Sequence, residues 1–333
     1  AEQTRKWRIC KIPPHLVHLR ECCKERKAAI RMWIVMLNGG LGNQMFQYIF
    51  ALYLAQNGAR VVIDDSAFFG AHVAHGGFEV PLFFQQGILP RLSAHFSSDV
   101  WDEMVARKEC GMSIPEQLRE GGLSIIYVRQ DAGDCPDFWG NTTEVNAADH
   151  ARILSFSRTQ MIYFAGYWMD FGYFTEIQKS FWECFRFPPF SSEKQVRTAR
   201  EISSMENAVA IHVRRGDMAA LGCSNPPEYF RRAIGELERL ASIDHYLLFS
   251  DDLAYCMEHA DELGLTAIRS RLTVVDGNRG REAYVDMQLM SLCRFRIADR
   301  SSFSQLAGVL CRVPGNLTTV WQSQIVTGYS IPV

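Results

Sequence analysis

From residue 195 to near 321 the sequence alternates short apolar runs with longer amphipathic stretches, and this alternation limits the fold more than any other feature. Its spacing predicts a helix over 195–206 and a strand over 208–213, then a proline-started helix near 227–241 and a strand over 245–250. Helix 253–263 leads to strand 272–276, helix 282–293 to strand 295–298, and helix 302–312 to a last strand near 317–321. Strands separated by helices of about ten residues or more require crossover connections, so the expected product is a parallel, doubly wound α/β sheet.

A second such pattern opens at Met32, in MWIVMLNGGLGNQMFQYIFALYLAQNGARVVIDD. Trp33–Leu37 reads as a strand. Met45, Tyr48, Ile49, Leu52 and Ala55 repeat at helical spacing within Asn43–Gln56, Asn57-Gly58 ends the helix, and Arg60–Ile63 is the next strand, giving a βαβ start. Between 66 and 150 no period is sustained, so only loops and short helices are expected there. MIYFAGYWMDFGYF (161–174) reads as a strand, an aromatic turn and a helix through Phe181, and RFPPFSSEKQ (186–195) has the composition of a linker. The expected organisation is an extension over 1–31 and two Rossmann-like domains, over 32–190 and 191–333.

The formal net charge of -2 in 333 residues argues against a general nucleic-acid or membrane binder. No apolar run reaches the roughly 18 residues of a membrane span, and Pro13, Pro14 and His15 interrupt the basic N-terminal stretch, unlike a signal peptide. The ten cysteines form no CxxC pair and no zinc-like cluster with histidine. These features imply reduced thiols and a cytoplasmic location, with peripheral membrane association left open, and they give the sequons at Asn141 and Asn316 no weight. No DxD, HExxH or EF-hand pattern suggests a metal.

Polar clusters follow the strands of the C-terminal half: His212-Val213-Arg214-Arg215-Gly216-Asp217, Ser250-Asp251-Asp252 and Asp299-Arg300-Ser301-Ser302. The carboxyl ends of parallel strands share one edge, where ligand crevices form. Arg214 and Arg215 offer planar forks for phosphate oxygens, and Ser301, Ser302 and Ser304 open a helix whose dipole favours anions. Asp251 and Asp252 are acceptors for ribose hydroxyls or a base, although Asp251 also suits an N-cap. Together these groups match a nucleoside diphosphate. Gly40-x-Gly42, with Asp64 and Asp65 after the next strand, partly matches a dinucleotide fingerprint, but Met45 stands where a third glycine belongs.

GGLGNQMFQY (39–48), GYWMDFGYF (166–174), HVRRGDM (212–218), FSDD (249–252) and RSSFSQLAG (300–308) resemble, in order, the family 11 glycosyltransferases, α-1,2-fucosyltransferases that use GDP-fucose. The resemblance implies a GT-B-like arrangement of two Rossmann-type domains facing across a cleft, inversion at the sugar and no required metal or other cofactor. It implies that Arg214 meets the donor pyrophosphate, with His212 and Arg215 beside it, and that Ser301, Ser302, Phe303 and Ser304 bind the donor. Gly40 and Gly42 join that donor set. By a looser likeness to peptide O-fucosyltransferases, Asn43 joins His212, Arg214 and Asp217 as a catalytic candidate. Asp217 is a base or a salt-bridge partner of the arginines. The implied partners are GDP-fucose and a galactose-terminated oligosaccharide.

Arg300 replaces the asparagine common in bacterial members, Gln305-Leu306 replace a tryptophan pair, and Met218 replaces a frequent tyrosine. Two other readings stay open: an NAD(P)-dependent oxidoreductase using the Gly40–Gly42 loop, and a nucleotide-sugar-binding module without activity.

Overall fold

Apolar runs with β-branched and aromatic residues build both sheets. In the computed structural model, which describes residues 32–71, 73, 76–84, 88–130, 143–320 and 330–332, they form two wholly parallel sheets. The N-terminal elements are β1 (Trp33–Met36), α1 (Leu41–Gln56), β2 (Val61–Asp64), α2 (Ser98–Glu109), α3 (Ile114–Glu120), β3 (Ile125–Gln130), β4 (Thr143–Val145), α4 (His150–Ser155) and β5 (Met161–Ala165). Then come α5 (Phe171–Cys184), α6 (Glu193–Ser204), β6 (Ala208–Val213), α7 (Gly216–Ala220), α8 (Pro227–Leu240), β7 (His245–Ser250), α9 (Leu253–Glu258) and β8 (Leu272–Val274). The last elements are α10 (Tyr284–Leu292), β9 (Phe295–Ile297), α11 (Ser302–Val309), β10 (Leu317–Val320) and β11 (Ser330–Pro332).

Two compact units divide the described residues: those within 32–38, 50–73 and 89–168 in one, and those within 39–49, 76–88 and 169–332 in the other. The first holds a sheet of order β2-β1-β5-β3-β4. Ile34, Val62, Tyr127 and Tyr163 on its strands pack with Trp101, Met104 and Leu118 from α2 and α3. The second holds the order β11-β10-β9-β6-β7-β8. All six residues of β6 are buried, as expected for a strand covered by helices on both faces. Its core joins Val209, Ile211 and Leu248 to Tyr229, Ala233 and Leu237 of α8. After β6 the chain adds β7 and β8 on one side, then returns to place β9 on the other. The strand order therefore reverses between β6 and β9, where open α/β sheets bind ligands.

Expectation and structure differ most over 66–150. Instead of loops and short helices alone, that stretch contains α2, α3, β4 and the inner strand β3, which pairs with β4 and β5. Only six residues long and preceded by Gly121-Gly122, β3 offers too short a pattern to show a period. A readable signal does precede it. Ser113-Ile-Pro-Glu116 is a capping box with both reciprocal hydrogen bonds formed. The helix expected over 253–263 stops at Glu258, continues as hydrogen-bonded turns and closes at Gly264, whose φ of +80 ends a helical path. Residues 1–31, Asn141 and position 321 lie outside the described residues.

Ser113→Ala removes the hydroxyl that accepts the Glu116 N–H and donates to the Glu116 carboxylate, while the backbone N–H of residue 113 is kept, and we expect it to lower stability by about 1 kcal/mol in chemical denaturation with an unchanged m-value.

Candidate active site

The loop after β6 and the loop after β9 are joined through one carboxylate. Asp299, 1% exposed, accepts the backbone N–H of Arg214 at 2.7 Å on Oδ2, and those of Arg300 at 2.7 Å and Asn225 at 3.3 Å on Oδ1. Burial raises its pKa to about 6, and the three backbone donors and the charge of Arg215 act in the opposite direction. Tyr229 on α8 places its hydroxyl 2.6 Å from the carbonyl of Ala298 and so secures the strand end one residue earlier.

The two arginines separate. Arg214 Nη1 pairs with Asp251 Oδ2 at 2.7 Å, while the other oxygen of Asp251 accepts the backbone N–H of Arg215 at 2.8 Å. Gly216 has a φ of +20, and a Cβ there would lie 2.6 Å from Asp251 Oδ2, so backbone and carboxylate together favour glycine in RRGD. The guanidinium of Arg215 stacks over Tyr255, 3.8 Å from the ring centre. Asp252, rather than Asp251, is the N-cap and accepts the N–H of Tyr255 at 3.0 Å. Its neighbour holds the arginine loop instead. Asp217 lies on α7, and its side chain is outside the described residues.

His212, 7% exposed, is buried beside Phe303, with ring centres 5.9 Å apart. Burial, followed by the charge of Arg214, lowers its pKa to about 3, so the imidazole is neutral and a weak base at physiological pH. Its Nδ1 has no hydrogen-bond partner among the described residues, and the same holds for both ends of the Asn225 side-chain amide.

The N-terminus of α1 abuts that of α11. Ser302 Oγ donates to Asn43 Oδ1 at 2.6 Å, and a Cβ on Gly42 would lie 2.5 Å from the backbone N of Phe303. Ser301 caps α11 through the N–H of Phe303 at 3.3 Å, and buried Ser304 donates to the Ser301 carbonyl. Gln44 is fully buried: its amide donates to the carbonyls of Gly39 and Gly77 and accepts the N–H of Glu79, tying the glycine loop to the 77–79 turn. Gly40 accepts the N–H of Gln44 at 3.1 Å. Thus Gly42 serves the approach of two chain segments, and Met45 in place of a third glycine is a buried core residue.

The dinucleotide reading fails on Asp64. This carboxylate is buried in the first unit and accepts the Tyr163 hydroxyl and the N–H of Ser66, leaving it no role toward a ribose. The sequence places Asp299 in a strand-end cluster without giving it a role, and it gives no sign of Asn225 or Tyr255 as site residues. Elsewhere in the second unit the half-buried Asp286 on α10 accepts Asn278 Nδ2 at 2.7 Å, and burial raises its pKa to about 6. A cavity of about 840 Å³ lies between α5 and the α11–β10 region, lined by Lys179, Trp182, Gln305 and Arg312 among others, and it contains none of the expected donor residues. Among the described residues no cluster of histidine, cysteine and carboxylate groups suits a metal ion, and no helix is long and apolar enough to cross a membrane.

The family model for glycosyl transferase family 11 matches residues 139–319, just over half of the chain. The chain belongs to this family. An alpha-1,2-colitosyltransferase of Escherichia coli is 24% identical to this family 11 chain over 279 residues, covering 81% of it and 84% of the relative. The solved fucosyltransferase NodZ from Bradyrhizobium is similar in fold, with a TM-score of 0.50 and 15% identity, covering 84% of this chain and 92% of that one. POFUT1 in complex with GDP-fucose matches at a TM-score of 0.40 and 13% identity, over 84% of this chain and 94% of that one. The family 11 chain is therefore a glycosyltransferase with an α/β, GT-B-like fold, and the oxidoreductase reading is overturned.

Two outcomes test the site's construction. Gly42→Ala is expected to cost about 1–3 kcal/mol in unfolding free energy, because backbone faces the new methyl. The second concerns His212, which native protein keeps neutral while the unfolded chain takes up a proton below about 6.5. Its contribution to stability is then lost as the pH falls from 6.5 toward 3. Asp299 acts in the opposite sense, disfavouring the native state as the pH rises from 3.8 through about 6. Since Asp299 is common to both proteins, the stability difference between wild type and His212→Gln should shift against wild type on acidification below pH 6.5, as read by denaturant melts across pH.

Proposed function

We propose that this family 11 chain is an inverting α-1,2-fucosyltransferase that moves L-fucose from GDP-fucose to O2 of a terminal galactose. The observation that carries the reading is the joining, at the β6–β9 reversal, of the Arg214-Arg215 loop to the loop that starts α11 through Asp299. A diphosphate there meets cationic forks from one loop and a helix N-terminus from the other.

In this reaction the acceptor oxygen attacks C1 of fucose from the face opposite the phosphate. The C1–O bond to the β-phosphate breaks, its electron pair leaves with GDP, and the acceptor hydroxyl loses its proton to a base. Negative charge grows on the leaving phosphate, where fixed positive groups act most strongly on the barrier. Arg214 and Arg215 supply that charge, with Asp251 holding the loop that carries both. The neutral ring of His212 serves as a wall and hydrogen-bonding group, because a base with a pKa near 3 accepts little proton from a sugar hydroxyl. Asn43, held by Ser302, stands at the same helix start and completes the donor side. The reading needs no metal, since the arginines and the helix start carry the leaving-group charge.

The name of the Escherichia coli relative favours a second reading in which the transferred sugar is colitose. Turnover with the two sugar donors on one galactose-terminated acceptor separates these readings. GDP binding without turnover of either donor would mark a module that has lost activity. Arg214→Ala is expected to leave a folded protein with transfer reduced by about two decades, equivalent to about 3 kcal/mol of barrier. Steady-state rates with GDP-fucose measure this, and near-normal transfer would sink the assignment.

A further inference from the structure

We infer that Tyr255 is a positioning residue for the donor: its ring is the platform that aims the Arg215 guanidinium at the diphosphate. The inference rests on the donor reading proposed above. Among the described residues the Arg215 guanidinium has no ion pair, and its buried Nε has no hydrogen-bond partner. Tyr255 stacks on it at 3.8 Å, and its charge also reaches the buried Asp299 carboxylate. Stacking uses the face of the guanidinium, whereas all five N–H bonds lie in its plane. An arginine stacked on an aromatic face keeps the N–H bonds of its two terminal nitrogens in the plane left to a ligand, and the ring restricts the direction in which they point.

Both ends of this contact are fixed by the backbone. Arg215 N–H is bonded to Asp251, and Tyr255 N–H to the cap residue Asp252, so adjacent aspartates after β7 set the arginine and the ring in register. His259, one turn further, packs against the Tyr255 ring at 4.3 Å and limits its rotation. Arg214 differs in kind, since Asp251 already takes part of its charge. The pair thus supplies one arginine engaged by carboxylate and one whose fork is left to the ligand.

Calorimetric titration of GDP into the native protein, Tyr255→Phe, Tyr255→Leu, Arg215→Ala and the Tyr255→Leu/Arg215→Ala double variant tests the inference. The leucine keeps apolar bulk without a π face, and thermal melts without ligand confirm that each variant is folded. We expect Phe to stay within about 2-fold of native affinity and Leu to weaken GDP binding about 3- to 10-fold, the range of a partly exposed cation–π contact. In the Arg215→Ala background, Leu should add no further loss, because the ring acts through the arginine. Unchanged affinity in Tyr255→Leu, or losses that add in the double variant, would overturn the platform while GDP binding by the native protein upholds the donor reading. Native protein that binds no GDP overturns both.

Discussion

The buried carboxylate of Asp299 is the interaction on which the site depends. It accepts backbone N–H groups from Arg214, Asn225 and Arg300, and so joins the loops after β6 and β9 with the start of the segment before α8. Parallel strands bring loop ends to one edge without specifying how they meet. A carboxylate offers several acceptor positions, and placed at the reversal point it fixes three loop backbones at once. Burial opposes its charge, and the three donors and the nearby cation of Arg215 oppose that burial in turn.

The HVRRGD stretch divides its labour among residues that look equivalent in one dimension. His212 still belongs to the strand and is driven neutral by burial. Arg214 is engaged by Asp251, Arg215 by an aromatic face, and Gly216 leaves the space that the Asp251 carboxylate fills. The glycine loop at residues 39–42 shows the same economy. Its resemblance to a nucleotide fingerprint comes from a shared need for close backbone approach, here met by Ser302 and Phe303.

Much of this was legible in the sequence. Strands β6 and β7 fall on the residues their apolar runs predict, and the arginine and serine clusters do follow strands whose ends share an edge. The inner strand β3 was not legible, because six residues between turns carry too little period to separate a strand from a loop. Nor was the choice between Asp251 and Asp252 as helix cap, since both precede the helix and only the fold gives the Tyr255 N–H to Asp252 and the Arg215 N–H to Asp251.

By itself the sequence determined the alternating α/β layout, the residue types at the strand ends and the family, because period, charge and motif order are local properties of the chain. Tertiary structure alone decided that β9 lies beside β6, that Asp299 and Arg214 meet across 85 residues, and that Tyr255 lies under Arg215. Those contacts depend on strand order and loop register, which arise when separate elements compete to bury their apolar faces, and no short stretch of sequence encodes that outcome.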